Sequence, residues 1–147
     1  MTANDEKNVT VLIVDDRRES LSVLVDVLGR AGYRVLVAED GQAGIAQATR
    51  ALPDVILLDI QMPVLDGFDA CRALKANDAT RDIPVLFISA RHQTADRVRG
   101  LALGGVDHIT KPFRPEEVLA RVAAHAKLAK LVRASKQARL HLEAALS

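Results

Sequence analysis

Four of five short apolar runs in this 147-residue chain are followed at once by side chains that can do chemistry. Asp15 and Asp16 follow the first run. Asp59 ends the third, Ser89 ends the fourth, and Thr110-Lys111-Pro112 follows the fifth. If those positions converge, three carboxylates, a hydroxyl and an ammonium share one small site. Carboxylates that close raise one another's pKa unless a cation compensates. Hard oxygen ligands in small number, with room left for water and phosphate, suit Mg²⁺ better than Zn²⁺. A carboxylate can itself be a nucleophile and form an acyl phosphate. A divalent ion and a lysine can neutralise the phosphoryl oxygens during such a transfer, and a hydroxyl can hydrogen-bond one of them. Taken singly, each residue has a plainer role. Asp15 or Asp16 fits a helix N-cap, Asp59 a turn before Pro63, and Lys111 a solvated surface.

The elements that would position these residues are legible as a pattern. Residues 9–14 form a nearly continuous apolar run rich in β-branched side chains, the habit of a strand buried on both faces. Similar runs occupy residues 33–38, 55–58, 85–88 and 106–109. Between them lie helical periodicities. Leu21, Leu24, Val25 and Leu28 step by three and four, with Gly29 and Gly32 as stop signals. Further helices are expected at about 42–51, 68–75 and 94–103, and a last one after Pro112, where Pro115 and Glu116-Glu117 suit a first turn. Strands alternating with helices predict right-handed crossovers and an α/β, doubly wound, five-stranded parallel sheet. The flavodoxin-like order 2-1-3-4-5 would make strands 1, 3, 4 and 5 neighbours. Ligands in such sheets bind beyond the carboxyl ends of the strands, which is where all the polar residues named above fall.

Composition narrows the function classes. Apolar residues make up 49% and charged residues 27% of the chain, an ordinary globular balance. The net charge of +1 gives no case for a whole-domain nucleic-acid binder. It conceals an asymmetry, because residues 127–147 carry five basic side chains and one acidic, whereas residues 1–126 carry 15 and 18. Cys71 is the only cysteine, so an intrachain disulfide and a multi-cysteine metal site are excluded. No apolar run approaches membrane-spanning length, and residues 1–8 are polar, without a signal-peptide core. A cytoplasmic protein is expected.

Four motifs give the chain a recognisable character: Val11-Leu-Ile-Val-Asp-Asp16, Asp54-Val-Ile-Leu-Leu-Asp-Ile-Gln-Met-Pro-Val-Leu-Asp-Gly67, Pro84-Val-Leu-Phe-Ile-Ser-Ala90 and Gly105-Val-Asp-His-Ile-Thr-Lys-Pro-Phe113. Together they resemble a bacterial response-regulator receiver domain over residues 9–126. The resemblance implies that Asp59 accepts a phosphoryl group from a histidine kinase or histidine phosphotransfer protein. It implies that Asp15 and Asp16 organise Mg²⁺, with Asp16, Asp59 and the backbone carbonyl of Gln61 as direct ligands. Lys111 then pairs with the acceptor and the phosphoryl group, and Ser89 occupies the switch position that follows the phosphate. Gly67 is expected to supply a turn conformation other residues resist. Gln61 and Arg91 are placed to tune dephosphorylation. One departure stands out: the aromatic switch position three residues before the lysine is His108, which is smaller than the usual Tyr or Phe and titrates near neutral pH. The implied activity is self-phosphorylation and dephosphorylation, without turnover of a separate substrate.

Residues 127–147 continue as helix formers beyond the usual end of such a domain. Leu128, Leu131, Ser135, Ala138, Leu142 and Ala145 step by three and four in a heptad-like seam. The basic residues recur at every third position from Lys127 to Arg139, which reads as a solvated helix surface. The expectation is a helical extension of the last helix, serving as linker to a covalent C-terminal output domain or as a homodimerisation helix. Residues 1–8 are expected to be disordered. Two other readings stay open. One is a phosphorylation-independent receiver-like protein-binding module. The other is an aspartyl-phosphate phosphatase of haloacid-dehalogenase type, against which stand the Asp-Asp rather than Asp-x-Asp pair and the lack of room for a cap domain.

Overall fold

The computed structural model describes residues 8–90 and 94–146. Arg91, expected to tune dephosphorylation, and residues 1–7 of the segment expected to be disordered lie outside the described residues. Five parallel strands, β1 (Thr10–Val14), β2 (Arg34–Ala38), β3 (Val55–Asp59), β4 (Val85–Ala90) and β5 (Asp107–Lys111), form one sheet in the order β2-β1-β3-β4-β5. Helices α1 (Arg18–Arg30), α2 (Gly41–Ala51), α3 (Gly67–Ala76), α4 (Thr94–Ala102) and α5 (Pro115–Leu146) connect and cover it.

Both faces of the central strands are buried, and strand alternation splits the core in two. Val11, Ile13, Val55, Leu57, Leu86, Ile88 and Ile109 point to one face, against Leu21, Leu24 and Leu28 of α1 and Val118, Val122 and Ala126 of α5. Leu12, Val14, Ile56, Leu58, Val85 and Phe87 point to the other, against Ala48 of α2 and Phe68, Cys71 and Leu74 of α3. The β-branched runs are therefore central strands because neither face can be polar.

The expected helix stops resolve into different roles. Gly29 lies inside α1, and the left-handed residue that ends this helix is Gly32, at φ 98°. Asp40 and Asp66 cap α2 and α3 by accepting the backbone N–H of Ala43 and Asp69. The N-cap of α1 is Arg17, whose side chain makes no cap bond. Asp15 accepts the Arg17 N–H instead (2.9 Å), which bends the chain away from β1 and holds the carboxylate in place.

α5 is one continuous helix of 32 residues. Its basic residues are not all solvated, as the spacing had suggested. Arg133 pairs with Asp54, a carboxylate only 9% exposed that also accepts the Thr10 N–H (2.7 Å), and Lys136 pairs with Asp82 (3.1 Å). Ala129 and Val132 face Leu52, Pro53, Ile83 and Pro84 across a cavity of about 210 Å³. The helix thus lies against the amino-terminal end of the sheet as far as Lys136. The seam residues Leu128, Leu131 and Leu142 are more than half exposed. Among the described residues, no helix is long and apolar enough to cross a membrane.

Candidate functional site at the carboxyl ends of the strands

Strands β1 and β3 are register neighbours, Val14 beside Leu58, so the residues that follow them meet. Asp15, Asp16 and Asp59 offer carboxylate oxygens that all lie within 4.8 Å of one another. Asp15 and Asp59 are buried and Asp16 is exposed. β5 reaches the same mouth. Lys111 Nζ stands 3.3 Å from Asp59 Oδ2 and 3.4 Å from Asp15 Oδ2. The Gln61 N–H donates to Asp59 Oδ1 (3.0 Å). The peptide bond after Lys111, to Pro112, is cis.

One lysine cannot neutralise three carboxylates. Burial, then the neighbouring Asp15 carboxyl, push Asp59 up from 3.8 to about 6, against the lowering influence of Lys111 and the Gln61 amide. Asp15 Oδ2 is buried without a hydrogen-bond partner, its nearest compensation being the Lys111 ammonium. An orphaned buried oxygen beside an exposed carboxylate, in an all-oxygen donor set, fits a hard divalent ion such as Mg²⁺.

Ser89 lies in β4, one residue beyond the Asp59–Ile88 pair, and is 4% exposed. Its hydroxyl is 2.5 Å from His108 Nε2. The imidazole therefore points inward and is half-buried. Burial, then Arg97, hold its pKa below the usual histidine value, against Asp96 and Asp107.

Gly67 is required, but for another reason than expected. Its φ is not left-handed; a Cβ there would lie 2.3 Å from the Asp59 carbonyl oxygen and 2.8 Å from Ile60 Cα. The left-handed residue of this loop is Val64, at φ 68°. Sequence reasoning also missed the network around Asp107. That carboxylate accepts from Arg121 and His125 and from its neighbour's backbone N–H. Burial works the other way, but those partners keep its pKa low. The i,i+4 spacing of Arg121 and His125 was the available signal.

A five-stranded 2-1-3-4-5 sheet with an acidic cluster and a lysine beyond its carboxyl edge defines a class of switch domains, and comparison with known proteins agrees. The response regulator receiver domain model matches residues 11–123, and the chain belongs to that family. It is 40% identical over 117 residues to the alkaline phosphatase synthesis transcriptional regulatory protein PhoP of Bacillus subtilis, covering 80% of this chain and 48% of the relative. It is 44% identical over 112 residues to the response regulator PleD of Caulobacter vibrioides, covering 76% of this chain and 25% of that protein. The chain therefore spans at most about half the length of these curated relatives. Among solved structures it is similar to the receiver domain of a sensor histidine kinase of Pseudomonas aeruginosa with magnesium coordinated in the active-site cleft. That match has a TM-score of 0.76 and 31% identity, over 81% of this chain and 98% of the other. The chain is a receiver domain of the two-component type.

Proposed function

We propose that Asp59 is the phosphoacceptor of this receiver domain. The observation that carries the reading is the convergence of Asp15, Asp16, Asp59 and Lys111 on one mouth, with a buried carboxylate oxygen among them that has no hydrogen-bond partner. Asp15, Asp16, Asp59 and the Gln61 carbonyl would hold Mg²⁺, which when bound neutralises phosphoryl oxygens. A carboxylate oxygen of Asp59 attacks phosphorus while the bond to the donor breaks and its electron pair leaves with the donor. That donor is the phosphohistidine of a kinase or phosphotransfer protein, or a small acyl phosphate. Lys111 then exchanges its contact with the Asp59 carboxylate for one with the phosphoryl group. Ser89 follows the phosphate, and His108, its partner, carries the change toward the β5 surface. A cytoplasmic setting belongs to this reading, because a histidine kinase draws its phosphoryl group from ATP.

The test is incubation with Mg²⁺ and acetyl phosphate, comparing wild type with Asp59→Asn. A base-labile label on the wild type alone supports the assignment; equal labelling of both sinks it.

A second element of the proposal concerns α5. Read as heptads, Leu128, Ser135 and Leu142 take a positions and Leu131, Ala138 and Ala145 take d positions. Of the residues that face the body, Arg133, Ala129 and Lys136 then fall at f and b, on the back of the helix, and Val132 at e, beside the seam. In a parallel pair the flanking g–e contacts would be Lys127 with Val132, Ala134 with Arg139 and His141 with Leu146, none of them like-charged. A second copy, or the continuation of the helix into an output domain, suits that seam. Light scattering on the full chain and on one ending at Ala126 tests the homodimer, and equal protomer numbers would count against it.

A further inference from the structure

Ser89 has one proton to donate and two lone pairs to offer. Among the described residues its hydroxyl has one side-chain hydrogen-bond partner, Nε2 of His108. Register explains the meeting. Phe87 stands beside His108 and Ser89 beside Thr110 across β4 and β5, so Ser89 and His108 are diagonal neighbours on one face of the sheet. Two placements of the protons are open to this pair. A neutral imidazole with Nε2 bare accepts the hydroxyl proton, and Ser89 then presents only lone pairs to a phosphoryl oxygen. An imidazolium donates Nε2–H to Oγ, and the hydroxyl proton is free to be given to the phosphoryl group.

We propose that His108 is a positioning residue for phosphoryl recognition, accepting the Ser89 proton in the resting site and taking up a proton of its own when Asp59 is phosphorylated. The proposal rests on the assignment of Asp59 and Ser89 given above. Phosphorylation thereby converts Ser89 from a group that repels the phosphoryl oxygen into one that binds it. The charged groups facing the imidazole are Asp96 and Arg97 of α4, Asp107 of β5 and Arg121 of α5. Burial and Arg97 dominate and keep the resting imidazole neutral near pH 7, so a proton site is open. A phosphoryl oxygen, with a charge of about −1.5 to −2 on its group, accepts the Ser89 hydroxyl proton and leaves Oγ as an acceptor facing Nε2, so that only the protonated ring completes the pair. A cavity of about 300 Å³ between α4 and β5, with Arg97, Leu101 and Arg121 in its wall, borders the His108 ring. The neutral tautomer that carries its proton on Nε2 would also donate to Oγ, but without proton uptake, and titration separates the two.

The experiment follows the imidazole resonances of the full chain by NMR from pH 4.5 to 8.5, with Mg²⁺ alone and with Mg²⁺ plus beryllofluoride as phosphoryl mimic. The wild-type His108 midpoint is expected to rise by about one pH unit or more with the mimic. Ser89→Ala should show a much smaller rise and Ser89→Thr a restored one, with His125 and His141 as references. An unchanged midpoint, in protein whose Asp59 and Gln61 amides report the bound mimic, overturns the inference alone. An equal rise in Ser89→Ala also overturns it, because the effect would then act through space. Amides of Asp59 and Gln61 that ignore the mimic would instead overturn the acceptor assignment itself.

Discussion

Asp59 is held in a state that folding disfavours at neutral pH. Its carboxyl titrates at about 6 in the fold and at 3.8 without it. The native state therefore binds the proton more tightly, and the contribution of Asp59 to stability is complete below pH 3.8 and is lost as pH rises through 6. Asp59→Asn should stabilise the metal-free protein at pH 8 by on the order of 2–3 kcal/mol, and by far less at pH 4. Urea unfolding with a chelator present measures both. Saturating Mg²⁺ should recover part of the same energy in the wild type, by binding only the folded arrangement. Gly67 sets a second limit at this scale. Gly67→Ala places a methyl against the Asp59 carbonyl and Ile60, and the loop must move. We expect a loss of about 1–3 kcal/mol and slower labelling by acetyl phosphate. A variant with wild-type stability and labelling rate would show that the loop yields freely.

At the scale of elements, the telling contact is the one between α5 and the start of β3. Asp54 accepts two donors, the Thr10 backbone and the Arg133 guanidinium. Arg133→Ala removes a half-exposed ion pair and should cost about 0.5 kcal/mol. Asp54→Ala also strands the Thr10 N–H and should cost about 2 kcal/mol. In both variants amides of residues 127–136 should gain more in exchange rate than those of Val118 and Val122, whose side chains are fully buried and whose amides speed up only as far as global stability falls. Little of this was readable beforehand. The strands were, because runs such as residues 55–58 are apolar on both faces and admit one environment. Asp15, Asp59 and Lys111 were, because each ends a strand whose place in the sheet follows from the alternation. The partners of Arg133 and Lys136 were not, because a basic residue on an exposed helix looks the same whether or not a carboxylate 79 or 54 positions away lies beneath it. Gly67 was found for the wrong reason, since a motif reports that glycine is needed and only packing reports why. The inward turn of His108 depends on a diagonal across two strands, which no local pattern encodes.

At the scale of the molecule, parallel strands give the domain two unlike ends. Every residue of the proposed phosphoryl site lies at the carboxyl ends of the strands or just after them, while Asp54 and the docked part of α5 lie at the amino edge. The surface that would present a seam to a second copy is thus fixed by contacts remote from the chemistry. Charge reversal at Arg133 and Lys136 together should broaden the spread of distances between spin labels at Ala76 and Gln137, and an unchanged distribution would show that α5 is held by its apolar contacts alone. Asp54 and Asp59 bracket a single strand of five residues, roughly 17 Å of extended chain. Their perturbations should therefore be independent: the free-energy changes of Asp54→Ala and Asp59→Asn are expected to sum within about 0.5 kcal/mol in the double variant. A change that loosens α5 from the amino edge should therefore leave Mg²⁺ affinity and acetyl phosphate labelling at the carboxyl edge as they were.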